Sequence, residues 1–100
     1  MADAPASENR RTWAFHEQLA ELPERVRQLA VKCFALFLES PQHPSLRLHK
    51  LDDTKKSRHR EGSYSVSITM AYRAIFIPVD GVNVWYWIGT HADYNDFVDA

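Results

Sequence analysis

YSVSITMAYRAIFIPVDGVNVWYWIGTHADYNDF, residues Tyr64 to Phe97, decides how this 100-residue chain folds. Its β-branched and aromatic residues fall into three runs, Tyr64 to Met70, Tyr72 to Val79 and Val82 to Gly89, each the length of a strand. Asp80-Gly81 between the last two is a strong two-residue hairpin signal, because both positions of such a turn need a backbone with positive φ. Pro78 costs one backbone donor, which is tolerable beside a turn. The closing DYNDFVDA is read as a single helical turn or a fray.

Working outward, RRTWAF from Arg10 to Phe15 alternates in a way that suggests a short first strand, and HEQLAEL after it suggests one or two helical turns. Pro23 then suits the first turn of a new helix, where its missing N–H does no harm. Val26, Leu29, Ala30, Cys33, Phe34 and Phe37 recur at three-and-four spacing, so this helix is amphipathic and ends at Ser40 and Pro41. Leu46 to Leu51 reads as a short extended piece leading into an exposed charged loop. Met1 to Asn9 is expected to be a flexible tail. The expectation is an α+β fold in the order strand-helix-helix-strand-strand-strand, a largely antiparallel four-stranded sheet with two helices on one face, forming one domain over residues 10–100.

With 45% apolar residues the chain holds enough to build a core, and its single cysteine, Cys33, cannot form an internal disulfide. Cys33 lies on the apolar stripe of the helix and is read as a structural thiol. No stretch is long enough to span a bilayer and the N-terminus has no apolar run, so a cytoplasmic protein is expected. Net charge is −1, which argues against indiscriminate nucleic-acid binding. Yet Arg47, Lys50, Lys55, Lys56, Arg58 and Arg60 crowd between Pro41 and Arg60, opposed only by Asp52 and Asp53. That local excess is a candidate phosphate track. His43, His49 and His59 lie in the same region without a cysteine or an HxxxH pattern, so no metal site is expected. No cofactor is implied either.

Arg73, His91 and Tyr94 are the candidate site. A guanidinium can hold a phosphate, an imidazole can move a proton near neutral pH, and a phenol can stack on a base or assist proton transfer. Each has an ordinary structural alternative: an ion pair for Arg73 with a C-terminal aspartate, a backbone-capping turn for His91, packing for Tyr94. Trp85 and Trp87 alternate on the last strand with Val84, Tyr86 and Ile88, which makes both its faces apolar. The tryptophan pair is either core or an uncovered surface.

Taken together, HPSLRLHKL, the charged loop, YSVSI, YRAIF and VWYWIGTHADY resemble small toxins of the RelE/ParE superfamily from bacterial toxin-antitoxin systems. The likeness runs from the first strand to Phe97. It implies either a ribonuclease acting on messenger RNA, usually at the ribosome, or an inhibitor of DNA gyrase on the same scaffold, and a degenerate binding module is a third possibility. Under the ribonuclease reading Arg73 contacts the scissile phosphate, while His91 and Tyr94 serve proton transfer and stacking. Arg47, Lys50, Lys56, Arg58 and Arg60 then hold the RNA backbone, and a cognate antitoxin anchors on Trp85 and Trp87. The sequence departs from the ribonucleases on the strand from Ser65 to Thr69, where hydroxyls replace basic side chains.

Overall fold

A computed structural model describes residues 8–54 and 58–99. Its elements are β1 (Glu8–Arg11), α1 (Trp13–Ala20), α2 (Glu24–Glu39), a 3-10 turn (Pro44–Leu46), β2 (His49–Lys50), β3 (Tyr64–Thr69), β4 (Tyr72–Val79), β5 (Val82–Thr90) and α3 (His91–Asp99). The five strands form one sheet in the order β1-β5-β4-β3-β2. Only β1 runs parallel to its neighbour; the other three pairings are antiparallel. This is the expected α+β order, extended by a two-residue strand at one edge and by a full helix at the C-terminus. Asp80 and Gly81 take φ 49° and 81°, the left-handed pair that the hairpin requires.

The first strand lies earlier than its pattern suggests. It takes in Glu8 and Asn9, the end of the segment expected to be a flexible tail, while residues 1–7 lie outside the described residues. Thr12 ends it by turning its hydroxyl onto the Phe15 N–H at 3.1 Å, an N-cap that starts α1. As a result Trp13 and Phe15 are separated by helix geometry: Phe15 is fully buried and Trp13 is 78% exposed.

Both helices after β1 pack on one face of the sheet around Trp85. Phe15, Phe34, Phe37 and Phe76 surround its indole with ring centroids 4.6–6.4 Å away, three of them edge-on. Each such pair adds about 0.5–1.5 kcal/mol beyond simple burial. Asn9 Oδ1 accepts hydrogen bonds from Trp85 Nε1 at 2.9 Å and Asn83 Nδ2 at 3.1 Å, so the indole N–H is satisfied and β1 is fastened to β5. Cys33 packs against this core and its thiol lies 3.6 Å from the Ser67 carbonyl. Burial pushes the thiol up to about 11, as befits a structural group.

The opposite face is closed by α3, which corrects the expectation of a single turn or fray. Its Tyr94, Phe97 and Val98 pack with Leu51, Ile75 and Trp87 in a second core. A bulge in β5 makes both cores possible. Phe76 pairs with Trp85 and Ile75 with Trp87, leaving Tyr86 as an extra residue that reverses the alternation. Trp85 therefore faces α1 and α2, and Trp87 faces α3. Gly89 is required next to it, because a Cβ there would lie 2.9 Å from the far edge of the Trp87 indole. Beyond the register of β1, the Ile88 N–H donates to Gln18 Oε1 at 3.1 Å.

Gly89→Ala is accordingly expected to destabilise the fold by about 1–3 kcal/mol through overpacking against Trp87. Urea unfolding followed by tryptophan fluorescence reads the change, and an unaltered midpoint would contradict the packing described.

Candidate functional site

Two rows of side chains run across the α3 face of the sheet. Strand pairing sets Ser65 beside Ile75 and Ile75 beside Trp87, and this row lies under α3. The next row, Ser67, Arg73 and Gly89, lies beyond it toward the N-terminus of α3. Arg73 Nη1 donates to the carbonyls of Thr69 at 2.7 Å, Tyr72 at 3.1 Å and Met70 at 3.3 Å, so one arm of the guanidinium closes the β3–β4 turn. Burial lowers the Arg73 pKa from its ordinary value. The Tyr94 phenol opposes that shift and the positive charge of Arg47 adds to it, which places all three in one electrostatic neighbourhood.

His91 enters from the other side of the same corner. Its N–H donates to the Ala71 carbonyl at 2.8 Å, fixing the start of α3 against the start of β4. Its ring stacks on Tyr94 with centroids 6.0 Å apart and planes at 17°. Tyr94 is buried and its Oη donates to Ser65 Oγ at 3.1 Å. His91 and Tyr94 are thus in contact, and Arg73 stands on the same face of the sheet, near enough to Tyr94 for the phenol to act on its charge.

A fourth member is His49, which sequence reasoning set aside with the loop histidines. Strand β2 pairs His49 with Ser65 and leaves the ring exposed over the site. Its Nδ1 is 3.1 Å from the Arg47 carbonyl, Ser65 Oγ lies 3.2 Å from Nδ1 and 3.3 Å from Nε2, and Tyr94 Oη lies 3.4 Å from Nε2. Two residues of strand carry too little alternation to be read, and the pairing that brings His49 here is a long-range contact. Arg47 itself holds φ 48°, a left-handed conformation unusual for a residue with a side chain, between buried Leu46 and exposed His49.

The other basic residues divide. Arg47 belongs to the site. Lys50 is next to it but forms a 2.5 Å ion pair with Asp53, whose carboxylate also accepts the Gly62 N–H at 3.1 and 3.2 Å. The Lys50 hydrogen bond, then that of Gly62, holds the Asp53 carboxyl below its usual range. Arg58 and Arg60 lie toward the far end of α3. The Arg58 N–H donates to the Phe97 carbonyl at 2.9 Å, and the Arg60 guanidinium sits 5.3 Å above the Tyr86 ring. Lys56 lies outside the described residues. Among those described, no three His, Cys, Asp or Glu side chains are grouped to hold a metal ion, and no helix is long and apolar enough to cross a membrane.

Trp85 and Trp87 do not form a shared surface. Trp85 is 1% and Trp87 9% exposed, on opposite faces of the sheet. Trp85 does contribute the floor of a groove of about 390 Å³ between β1 and α2, which Val31 and Leu38 flank in the open.

No family model matches the chain, and no curated protein sequence does. Solved structures do match. YafQ from E. coli strain BL21(DE3) superposes with a TM-score of 0.66 at 14% identity, over 87% of this chain and 96% of that one. RelE in the archaeal RelE-RelB complex from Pyrococcus horikoshii OT3 gives 0.61 at 14% identity, over 83% and 92%. The toxin-antitoxin complex RelBE2 from Mycobacterium tuberculosis gives 0.57 at 20% identity, over 88% and 100%. The chain therefore has the RelE-like toxin fold, as its resemblance implied.

The Asp53 contacts generate a prediction for the loop that carries the basic residues. A carboxyl held below its unfolded value favours the folded loop above the ordinary aspartate range, and that contribution is lost as pH falls through the lowered value. Asp53→Ala is expected to raise amide exchange at Gly62 at neutral pH, measured by NMR. Exchange equal to that of the unmodified protein would remove Asp53 as the fastening.

Proposed function

We propose that this chain is the toxin of a toxin-antitoxin pair, an endoribonuclease that cuts messenger RNA in the cytoplasm, associated with the ribosome, and so arrests translation. The observation that carries the reading is the convergence of Arg73, His91, Tyr94 and His49 on one face of the sheet. The RelE-like fold is consistent with it. A cognate antitoxin as the inhibiting partner accords with the solved relatives described as toxin-antitoxin complexes.

The chemistry needs a 2′-hydroxyl deprotonated, an in-line phosphorane stabilised and a 5′-oxygen protonated. Among the described residues only Nη1 of Arg73 is engaged by protein, so the rest of its planar donor set is open to phosphate oxygens. Arg47 adds a second positive charge beside it. His49, whose exposed ring stands over Ser65 and Tyr94, takes the 2′-hydroxyl proton as the 2′-oxygen bonds to phosphorus. His91 in its protonated form gives a proton to the departing 5′-oxygen, and Tyr94 holds its ring by stacking. Lys50, Lys56, Arg58 and Arg60 serve the flanking backbone without reading sequence. Ser65 and Ser67 supply hydroxyls where related ribonucleases carry basic side chains, so the phosphate charge falls to Arg73 and Arg47. The gyrase-inhibitor alternative draws on the same fold and makes His91 dispensable.

The test is cleavage of ribosome-bound message with mapping of the ends. His91→Ala is expected to cut about a hundred- to ten-thousand-fold more slowly, the usual value of acid–base participation. Arg73→Ala is expected to lose about a hundred- to a thousand-fold, the usual value of one charge-stabilising donor. Undiminished cutting by both variants would remove the site. DNA damage and filamentation on induction, without loss of protein synthesis, would support the gyrase reading instead.

A further inference from the structure

Strand β1 ends the sheet, and among the described residues nothing pairs with its outer edge. The Thr12 N–H donates to the Trp85 carbonyl at 2.9 Å, continuing the parallel ladder in which Arg11 stands beside Trp85. Backbone direction alternates along a strand, so Arg10 turns its N–H and C=O toward β5, whereas Asn9 and Arg11 turn theirs outward. Side chains alternate between the faces as well. Asn9 reaches Trp85 on the helix side and Arg11 lines the groove there, which leaves Glu8 and Arg10 together on the opposite face, both exposed. Above this edge α2 presents Val31, Phe34, Ala35 and Leu38 at the spacing of one helix face. They wall the groove of about 390 Å³, with Val31 68% and Leu38 63% exposed. The sheet thus ends in unpaired backbone under an open apolar margin, the two features that a further strand and its own cover would complete.

We propose that the occupant is a second copy of this chain, joined to the first through β1 about a two-fold axis perpendicular to the sheet. Antiparallel strands exchange hydrogen bonds only between residues that face each other across the seam, so the pairing centres on Asn9, Arg10 or Arg11. Centred on Arg10 or on Arg11, it sets that arginine against its own copy, and like charges directly opposite are unfavourable. Centred on Asn9, it sets each Glu8 across from the copy's Arg10, and the two Asn9 backbones exchange both hydrogen bonds. Charge therefore selects one register. A partner strand of a single charge sign would satisfy Glu8 or Arg10 and repel the other. The same strand run backwards satisfies both, and a net charge of −1 gives the copies little long-range repulsion. The axis keeps the α1 and α2 layers of both copies on one side of the doubled sheet, so the two grooves merge above the seam, where Val31 and Leu38 of each copy cover it. The contact is self-complementary and closes on itself, which stops assembly at two copies.

The proposal does not depend on the ribonuclease reading, and its test is sedimentation velocity of the full chain with charge reversals at two exposed positions that the core does not use. The unmodified protein is expected to sediment as a concentration-dependent dimer. Glu8→Arg and Arg10→Glu each turn both cross-strand pairs into like charges, and each alone is expected to raise the dimer dissociation constant about ten- to a hundred-fold, with an unaltered circular dichroism spectrum. Mixed one to one, the two variants are expected to recover the dimer, since every pair across the seam is again of opposite charge. Leu38→Lys is expected to weaken the dimer through the groove instead. A chain that sediments as a monomer at every concentration overturns the proposal, and if Leu38→Lys then abolishes binding of the antitoxin, the groove belongs to that partner. A dimer that neither reversal weakens, or that the mixture fails to restore, overturns it too.

Discussion

Everything on the two faces of this sheet depends on the extra residue in β5. A regular strand would send Trp85 and Trp87 to the same side, and one face would carry two indoles while the other lost its largest side chain. The bulge at Tyr86 gives each face one tryptophan. Trp85 becomes the hub of the aromatic core beneath α1 and α2, and Trp87 becomes the base on which α3 sits. Because α3 carries Tyr94 and begins at His91, the bulge also sets where the imidazole and phenol stand relative to Arg73. Packing and site share one cause.

That cause explains what could be read from the chain and what could not. The β3-β4-β5 meander was legible because β-branched alternation and Asp80-Gly81 are local signals. The α2 stripe was legible for the same reason, since Val26, Ala30 and Phe37 repeat with the helix period and are the residues it buries. The bulge was not, because Val84 to Ile88 is apolar on both sides and gives no parity to break. Helix α3 was mistaken for a fray because Asp93, Asp96 and Asp99 mask its Tyr94, Phe97 and Val98 spacing, and because its stability comes from tertiary contact with Trp87. In the first strand, a Thr12 cap overrode an alternation only six residues long.

The site was legible in proportion to how far its members lie on strong elements. Arg73 and His91 stand at the start of β4 and the start of α3, and their placement on one corner follows from the hairpin register alone. His49 stands on two residues of edge strand after a left-handed Arg47, where neither propensity nor period speaks. The basic residues of the loop were visible as a charge excess, but composition does not tell which cations face outward. Lys50 is tied to Asp53 and Arg60 covers Tyr86, so the excess is partly spent on ordering its own loop. What remains beside the imidazoles is the pair Arg47 and Arg73.

The hydrogen bond from the Ile88 N–H to Gln18 Oε1 has a consequence for how copies of the protein behave in a crowded solution. Past the last residue of β1, strand β5 has a bare margin of the kind onto which a foreign strand can zip. A side-chain amide from α1 occupies the donor that such a strand would need first. The helix thus works as a stopper against edge-to-edge polymerisation, protecting a sheet whose apolar strands would otherwise template their own aggregation.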